Sequence, residues 1–183
     1  MKLAGFITGA GVAAAGLAVW SALTTVTDAM RLDRMLTACA DYATTGAPPF
    51  VGEGRSIGVY DVPVFEDDFV ADTHRILDDG RFEAAWEQIG DVESPIRLCR
   101  VTARFDGGAP MSFRLEGGAL IPLVTQILAS FGDLVPETDT ITDGSRTLGW
   151  YEAGKAQDEG IRVVLIAGPS DVSSFFVGAD VTP

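Results

Sequence analysis

From Leu3 to Val26 the chain runs for 24 residues without a charge, LAGFITGAGVAAAGLAVWSALTTV, and only beyond them do polar and apolar positions begin to alternate. About 20 apolar residues cross a hydrocarbon core of about 30 Å as a helix, so residues 1–26 are predicted to form a transmembrane signal-anchor. A cleaved signal has an apolar core of about 7 to 15 residues followed by a small-x-small site. A cut after Ala22 would put Trp20 at the minus-three position of the site, a poor match, so the segment is expected to be retained. Leu32, Met35, Leu36, Cys39 and Ala43 then recur at helical spacing. They predict a membrane-proximal amphipathic helix over 27–46, continuous with the anchor and stopped by Gly46, Pro48 and Pro49.

The pattern over 47–183 is that of one small α+β domain. A Gly- and Pro-broken stretch holds one strand, Ile57 to Val62. Asp67 or Asp68 can cap a helix with Phe69, Thr73, Ile76 and Leu77 on one face. Asp78-Asp79-Gly80 breaks it, and Phe82, Ala85, Trp86 and Ile89 define a second helix, so the two read as a helical hairpin. Ile96 to Phe105 and Met111 to Glu116 read as a β-hairpin about the turn 106–110, with Met111, Phe113 and Leu115 alternating against polar neighbours. A third helix follows from Ala119 to Phe131, with Pro122 tolerated in its first turn. Thr147 to Glu152, Ile161 to Ala167 and Val172 to Ala179 are the closing strands. Short polar turns between strands, with helices grouped among them, predict an antiparallel sheet covered by helices on one face. No internal repeat or long linker is visible.

Composition narrows the classes of partner. There are 13 basic and 26 acidic residues, a net charge of −13, and every acid lies beyond residue 27. Phosphate-backbone binding needs the opposite sign, which argues against nucleic acid and against a basic grip on anionic lipid. The simplest use of the acids is to keep the domain soluble. Eleven of the basic residues are Arg, and with the Ala and Gly content this is the composition of a GC-rich bacterial genome. Lys2 flanks one end of the apolar run and Arg31 and Arg34 the other, so the positive-inside count gives little and leans mildly toward a cytoplasmic domain, although long domains translocate largely regardless of charge.

The cysteines tip that balance. Cys39 and Cys99, with His74 as the one histidine of the chain, are too few for a zinc site. A disulfide would close a loop of 60 residues and contribute about 4 kcal/mol in the chain-entropy model, two buried free thiols being the alternative. Cys99 shares a strand face with Val101, Ala103 and Phe105, so a bond to Cys39 would pin the membrane-proximal helix to the sheet. Disulfides belong to oxidising compartments. The expected location is therefore a bacterial inner membrane, single-pass, with the C-terminal domain periplasmic.

Candidate chemistry is sparse. Gly9-Ala10-Gly11-Val12-Ala13-Ala14 matches a dinucleotide fingerprint, but no second strand and no strand-end acid follow it as such a site requires. In a membrane helix Gly5, Gly9, Ala13 and Gly16 instead form a ridge of small residues against which another helix can pack closely, with Thr8 able to add a hydrogen bond. Trp20 suits the interface at the far end. His74 falls on a predicted helix, and neither Ser145 nor Ser170 has the elbow that exposes a nucleophile. The acid pairs at 66–68 and 78–79 read as caps and solvated charge. Glu137 to Gly144 spaces its acids like a calcium loop, but Trp150 stands where the bidentate Glu belongs, so a Thr- and Asp-rich surface turn is expected. No catalytic residue, metal or cofactor is expected. The sequence favours a non-catalytic accessory or assembly subunit of a larger membrane complex, respiratory or electron-transfer assemblies being the commonest hosts, held through the anchor and in contact with the bilayer. The alternative is a membrane-tethered periplasmic binding or sensing domain.

Overall fold

The computed structural model describes residues 26–56, 73–90, 95–106, 109–110, 112–115, 119–142, 145–155, 160–169 and 171–180. The predicted anchor with Gly5, Gly9, Ala13 and Gly16, and the strand predicted over 57–62, lie outside the described residues. Among those described, no helix is long and apolar enough to cross a membrane.

The described residues form a small domain with one large antiparallel sheet, as the apolar patterning predicts, and two α-helices where the patterning predicted four. Helix α1 is Asp28–Thr45. Its buried residues include Leu32, Met35, Leu36, Cys39 and Ala43, the stripe anticipated from spacing. Thr27 opens the helix, its hydroxyl accepting from the Met30 amide at 3.2 Å. Gly46 closes it in the left-handed region at φ 78°, donating its N–H to the Tyr42 carbonyl, the usual role of glycine at a helix C-terminus. Thr27 itself is extended, with ψ 160°. The helix therefore starts at Asp28, which corrects the expectation of a helix running on through residue 27.

The strands are β1 (Arg55–Ser56), β2 (Thr73–Leu77), β3 (Phe82–Ile89), β4 (Ile96–Ala103), β5 (Phe105–Asp106), β6 (Ala109–Pro110), β7 (Phe113–Arg114), β8 (Leu134–Thr142), β9 (Ser145–Glu152), β10 (Gly160–Ala167) and β11 (Asp171–Asp180); α2 is Leu120–Leu128. The main sheet runs β1-β2-β3-β4-β11-β10-β9-β8, with β7 beside the start of β11. Each helix thus precedes a four-stranded meander, and the two meanders join edge to edge through their last strands, β4 and β11. The architecture repeats although no sequence repeat is visible.

Three expectations are corrected. The helical hairpin is a β-hairpin, β2 to β3, joined by a 3-10 turn at Asp78–Gly80; Phe82, Ala84 and Trp86 alternate toward the core opposite Ala103, Val101 and Cys99 of β4. Phe113 does not pair back onto β4, because Phe105–Asp106 turns onto Ala109–Pro110 while Phe113 lies opposite Val172 of β11. The stretch read as a surface turn is largely strand β8, paired along β9 from Leu134 to Thr142 with an irregularity between Glu137 and Thr140. Strand β8 sits at the sheet edge, where a polar strand is tolerated.

Both helices cover the same face. A continuous row crosses it, Trp86, Cys99, Val177, Val163 and Trp150, each opposite the next, and all five are buried. The neighbouring row is Ala84, Val101, Phe175, Leu165 and Leu148. Phe113 stacks on Phe82 with ring centroids 4.1 Å apart, and the Trp150 indole donates to Thr125 Oγ1 of α2 at 3.0 Å, so a large ring is buried with its polar atom satisfied. The opposite face, with Arg100, Phe176 and Val164 in register, carries neither helix.

Candidate functional site

The most connected group of charged side chains surrounds the first turn of α1. Asp28 accepts from Arg31 Nη1 at 2.9 Å, from Arg81 Nη1 and Nη2 at 3.0 and 3.3 Å, and from the Arg114 backbone N–H at 2.9 Å. Arg81 also donates to the Ser112 carbonyl at 3.0 Å. On the other side of the helix Arg34 reaches Glu53 at 2.8 Å and Asp78 at 3.2 Å, and Arg31 Nε lies against Asp78. The collar balances three arginines with three acids and ties α1 to the 3-10 turn, to the segment before β1 and to β7.

Burial alone would raise the Asp28 carboxyl. Hydrogen bonds from Arg81 and the Arg114 amide, the Arg81 charge and the Arg31 bond together outweigh it and hold the carboxyl below its ordinary value. Asp28 also stands at the positive end of the helix dipole, where an anion is favoured. The collar extends backward along the chain, since Arg31 Nη1 donates to the Val26 carbonyl at 2.7 Å.

Two further fastenings hold the same helix. Cys39 and Cys99 are bonded, with Cα atoms 5.3 Å apart, so the predicted pair joins the middle of α1 to the central row of the sheet. Arg97 of β4 donates to the Thr44 carbonyl at 3.4 Å and to Gln88 at 3.1 Å, placing a cation at the negative end of α1. The helix is thus held at its start, middle and end.

The three collar guanidiniums are matched by carboxylates, an arrangement that orients chain segments. Ser112 Oγ donates to Asp171 at 2.6 Å, fastening the residue before β7 to the start of β11. His74 lies on β2 with its backbone opposite Ala85, not on a helix as its surroundings suggested. Among the described residues no group of three His, Cys, Asp or Glu side chains converges as a metal site would. The collar was invisible to pattern reading because Asp28 and Arg81 are 53 residues apart; charges flanking an apolar stripe look like solvated surface until a fold supplies their partners. No family model, curated protein or solved structure matches the chain.

Proposed function

We propose that the chain is a single-pass accessory or assembly subunit of a larger membrane complex, anchored by residues 3–26 and bearing its domain on the periplasmic side of a bacterial inner membrane. One observation supports this over a tethered sensor: α1 begins two residues beyond Val26, and the collar grips Val26 itself. A flexible tether lets a domain sample space. A domain whose first helix is fastened at three points and begins two residues beyond Val26 leaves no flexible linker between Val26 and the fold. Such rigidity suits a brace docked on neighbouring helices, and the small ridge of Gly5, Gly9, Ala13 and Gly16 is the surface on which a neighbour would pack. In this reading the protein is non-catalytic and needs no cofactor, and its partners are a membrane complex and the bilayer.

Purification of the tagged full-length chain in mild detergent, with identification of what accompanies it, is the test. A membrane complex in fixed stoichiometry is expected. Replacing Gly5 and Gly9 together by Leu should release the partner while the domain keeps its fold, and inserting a flexible Gly-Ser linker between Val26 and Thr27 should weaken the same association. A wild-type chain that purifies alone, or a linker variant that retains its partner in full, would refute the brace.

A further inference from the structure

On the sheet face without helices, at the corner where β1, β2 and the end of β4 meet, lies an open cavity of about 410 Å³, lined by Gly54, Arg55, Ile76, Gly80 and Arg104. Cavities of roughly 300 to 1,000 Å³ hold small molecules or parts of larger ones. This one is unusual in a chain of net charge −13, because two arginines border it and none of its described lining residues is acidic. The Arg55 side chain makes no hydrogen bond or ion pair among the described residues, its backbone pairing opposite Ile76. Arg104 directs Nη1 to the Gly80 carbonyl at 3.2 Å. Most of its five N–H donors stay available. Ile76 supplies an apolar wall. Gly54, at φ 60°, lies so close to β2 that a Cβ there would meet the Ile76 carbonyl, and Gly80 sits at φ 100°.

Its position follows from the collar. Gly80 ends the turn whose first residue, Asp78, is held by Arg31 and Arg34, and Gly54 follows Glu53, held by Arg34. Arg31 in turn holds Val26. The cavity is therefore built from segments fixed to the root of the predicted anchor, at the end of the domain from which the apolar run departs.

We propose that this cavity binds the phosphate-bearing headgroup of an anionic membrane lipid. The lipid assignment rests on the anchored reading above; the phosphate chemistry rests on the cavity. Guanidinium forks match phosphate oxygens two at a time, and the apolar wall can meet the glycerol carbons. The acid excess elsewhere repels an anionic surface, so recognition would be confined to this corner.

The test uses the full-length chain in a neutral detergent, titrated with short-chain phosphatidylglycerol, short-chain phosphatidylcholine and inorganic phosphate, with binding read by calorimetry. Saturable binding of phosphatidylglycerol is expected, with phosphatidylcholine and inorganic phosphate each weaker by about ten-fold or more, the factor that about 1.4 kcal/mol of lost charge-assisted bonding gives. The double variant Arg55→Gln/Arg104→Gln should lose that binding by at least about ten-fold. Arg114→Gln, an exposed arginine that does not line the cavity, should leave it unchanged, and circular dichroism checks that both variants are folded. Absence of saturable phosphatidylglycerol binding, or equal binding by the folded double variant, overturns the site. Equal affinity for inorganic phosphate overturns the lipid assignment. Alkaline extraction of native membranes reads the anchor independently: a released chain refutes the anchored reading, whereas binding lost in the double variant tests only the cavity.

Discussion

Removing the Cys39–Cys99 bond is the sharpest perturbation of this fold. The cross-link spans 60 residues of sequence, and in the chain-entropy model a loop of that length restricts the unfolded state by about 4 kcal/mol at room temperature. Both sulfurs are fully buried, so replacing both cysteines by Ala also removes packing atoms from the contact between α1 and the central row, at about 1 kcal/mol. A total near 5 kcal/mol is comparable to the whole stability of a modest domain. With a urea dependence of about 2.5 kcal/mol per molar for a chain of this size, the unfolding midpoint of Cys39→Ala/Cys99→Ala should fall by about 2 M. The assay is urea unfolding of the full-length chain in neutral detergent, followed by tryptophan fluorescence, since Trp86 lies directly opposite Cys99 on β3. The wild type in reductant should approach the variant only after it has been unfolded, because the bond is buried. A variant midpoint within about 0.5 M of the oxidised wild type would refute the loop-closure reasoning. Both cysteines alkylating without reductant in freshly isolated membranes would show that the bond is absent there, and would remove the main argument for export.

Three other outcomes follow from named contacts. Asp28→Asn should cost about 2 kcal/mol, because two guanidiniums and an amide lose an ionised acceptor at a partly exposed site. The Asp28 pKa is lowered on folding, so its contribution is fully present above the unfolded value near 3.9 and is lost as pH falls through the lower folded value; urea midpoints from about pH 5 down to 2 should fall less in the variant than in the wild type, and parallel curves would refute the assignment. Gly54→Ala places a Cβ against the Ile76 carbonyl at positive φ and should destabilise by about 1–3 kcal/mol, seen as a lower thermal midpoint; an unchanged midpoint would mean that β1 does not approach β2 as described. Phe113→Ala removes a fully buried ring stacked on Phe82 and should cost about 3–5 kcal/mol by urea unfolding, whereas a loss under about 1 kcal/mol would place the ring outside the core.

The α1 stripe, the α2 stripe and strands β9 to β11 were legible because each presents one apolar face to one partner, and a single periodicity survives in the sequence. The β2–β3 hairpin was not. Phe82, Ala85, Trp86 and Ile89 satisfy helical spacing while Phe82, Ala84 and Trp86 satisfy strand spacing, and Ala85 on the other face is buried too. Only the pairing of Trp86 with Cys99 chooses between the two periods. Strand β8 was hidden by its Thr, Glu and Asp content, and it is a strand because β9 offers it an edge. By itself, the sequence determined the helix end at Gly46, the apolar faces that bring the two cysteines together and the one-face coverage of the sheet, all of which depend on a local cap or on where apolar side chains point. The tertiary structure alone decided the joining of two meanders through β4 and β11, the collar about Asp28 and the cavity between Arg55 and Arg104. These depend on residues tens of positions apart, whose mutual distance no local pattern encodes until the strands have paired.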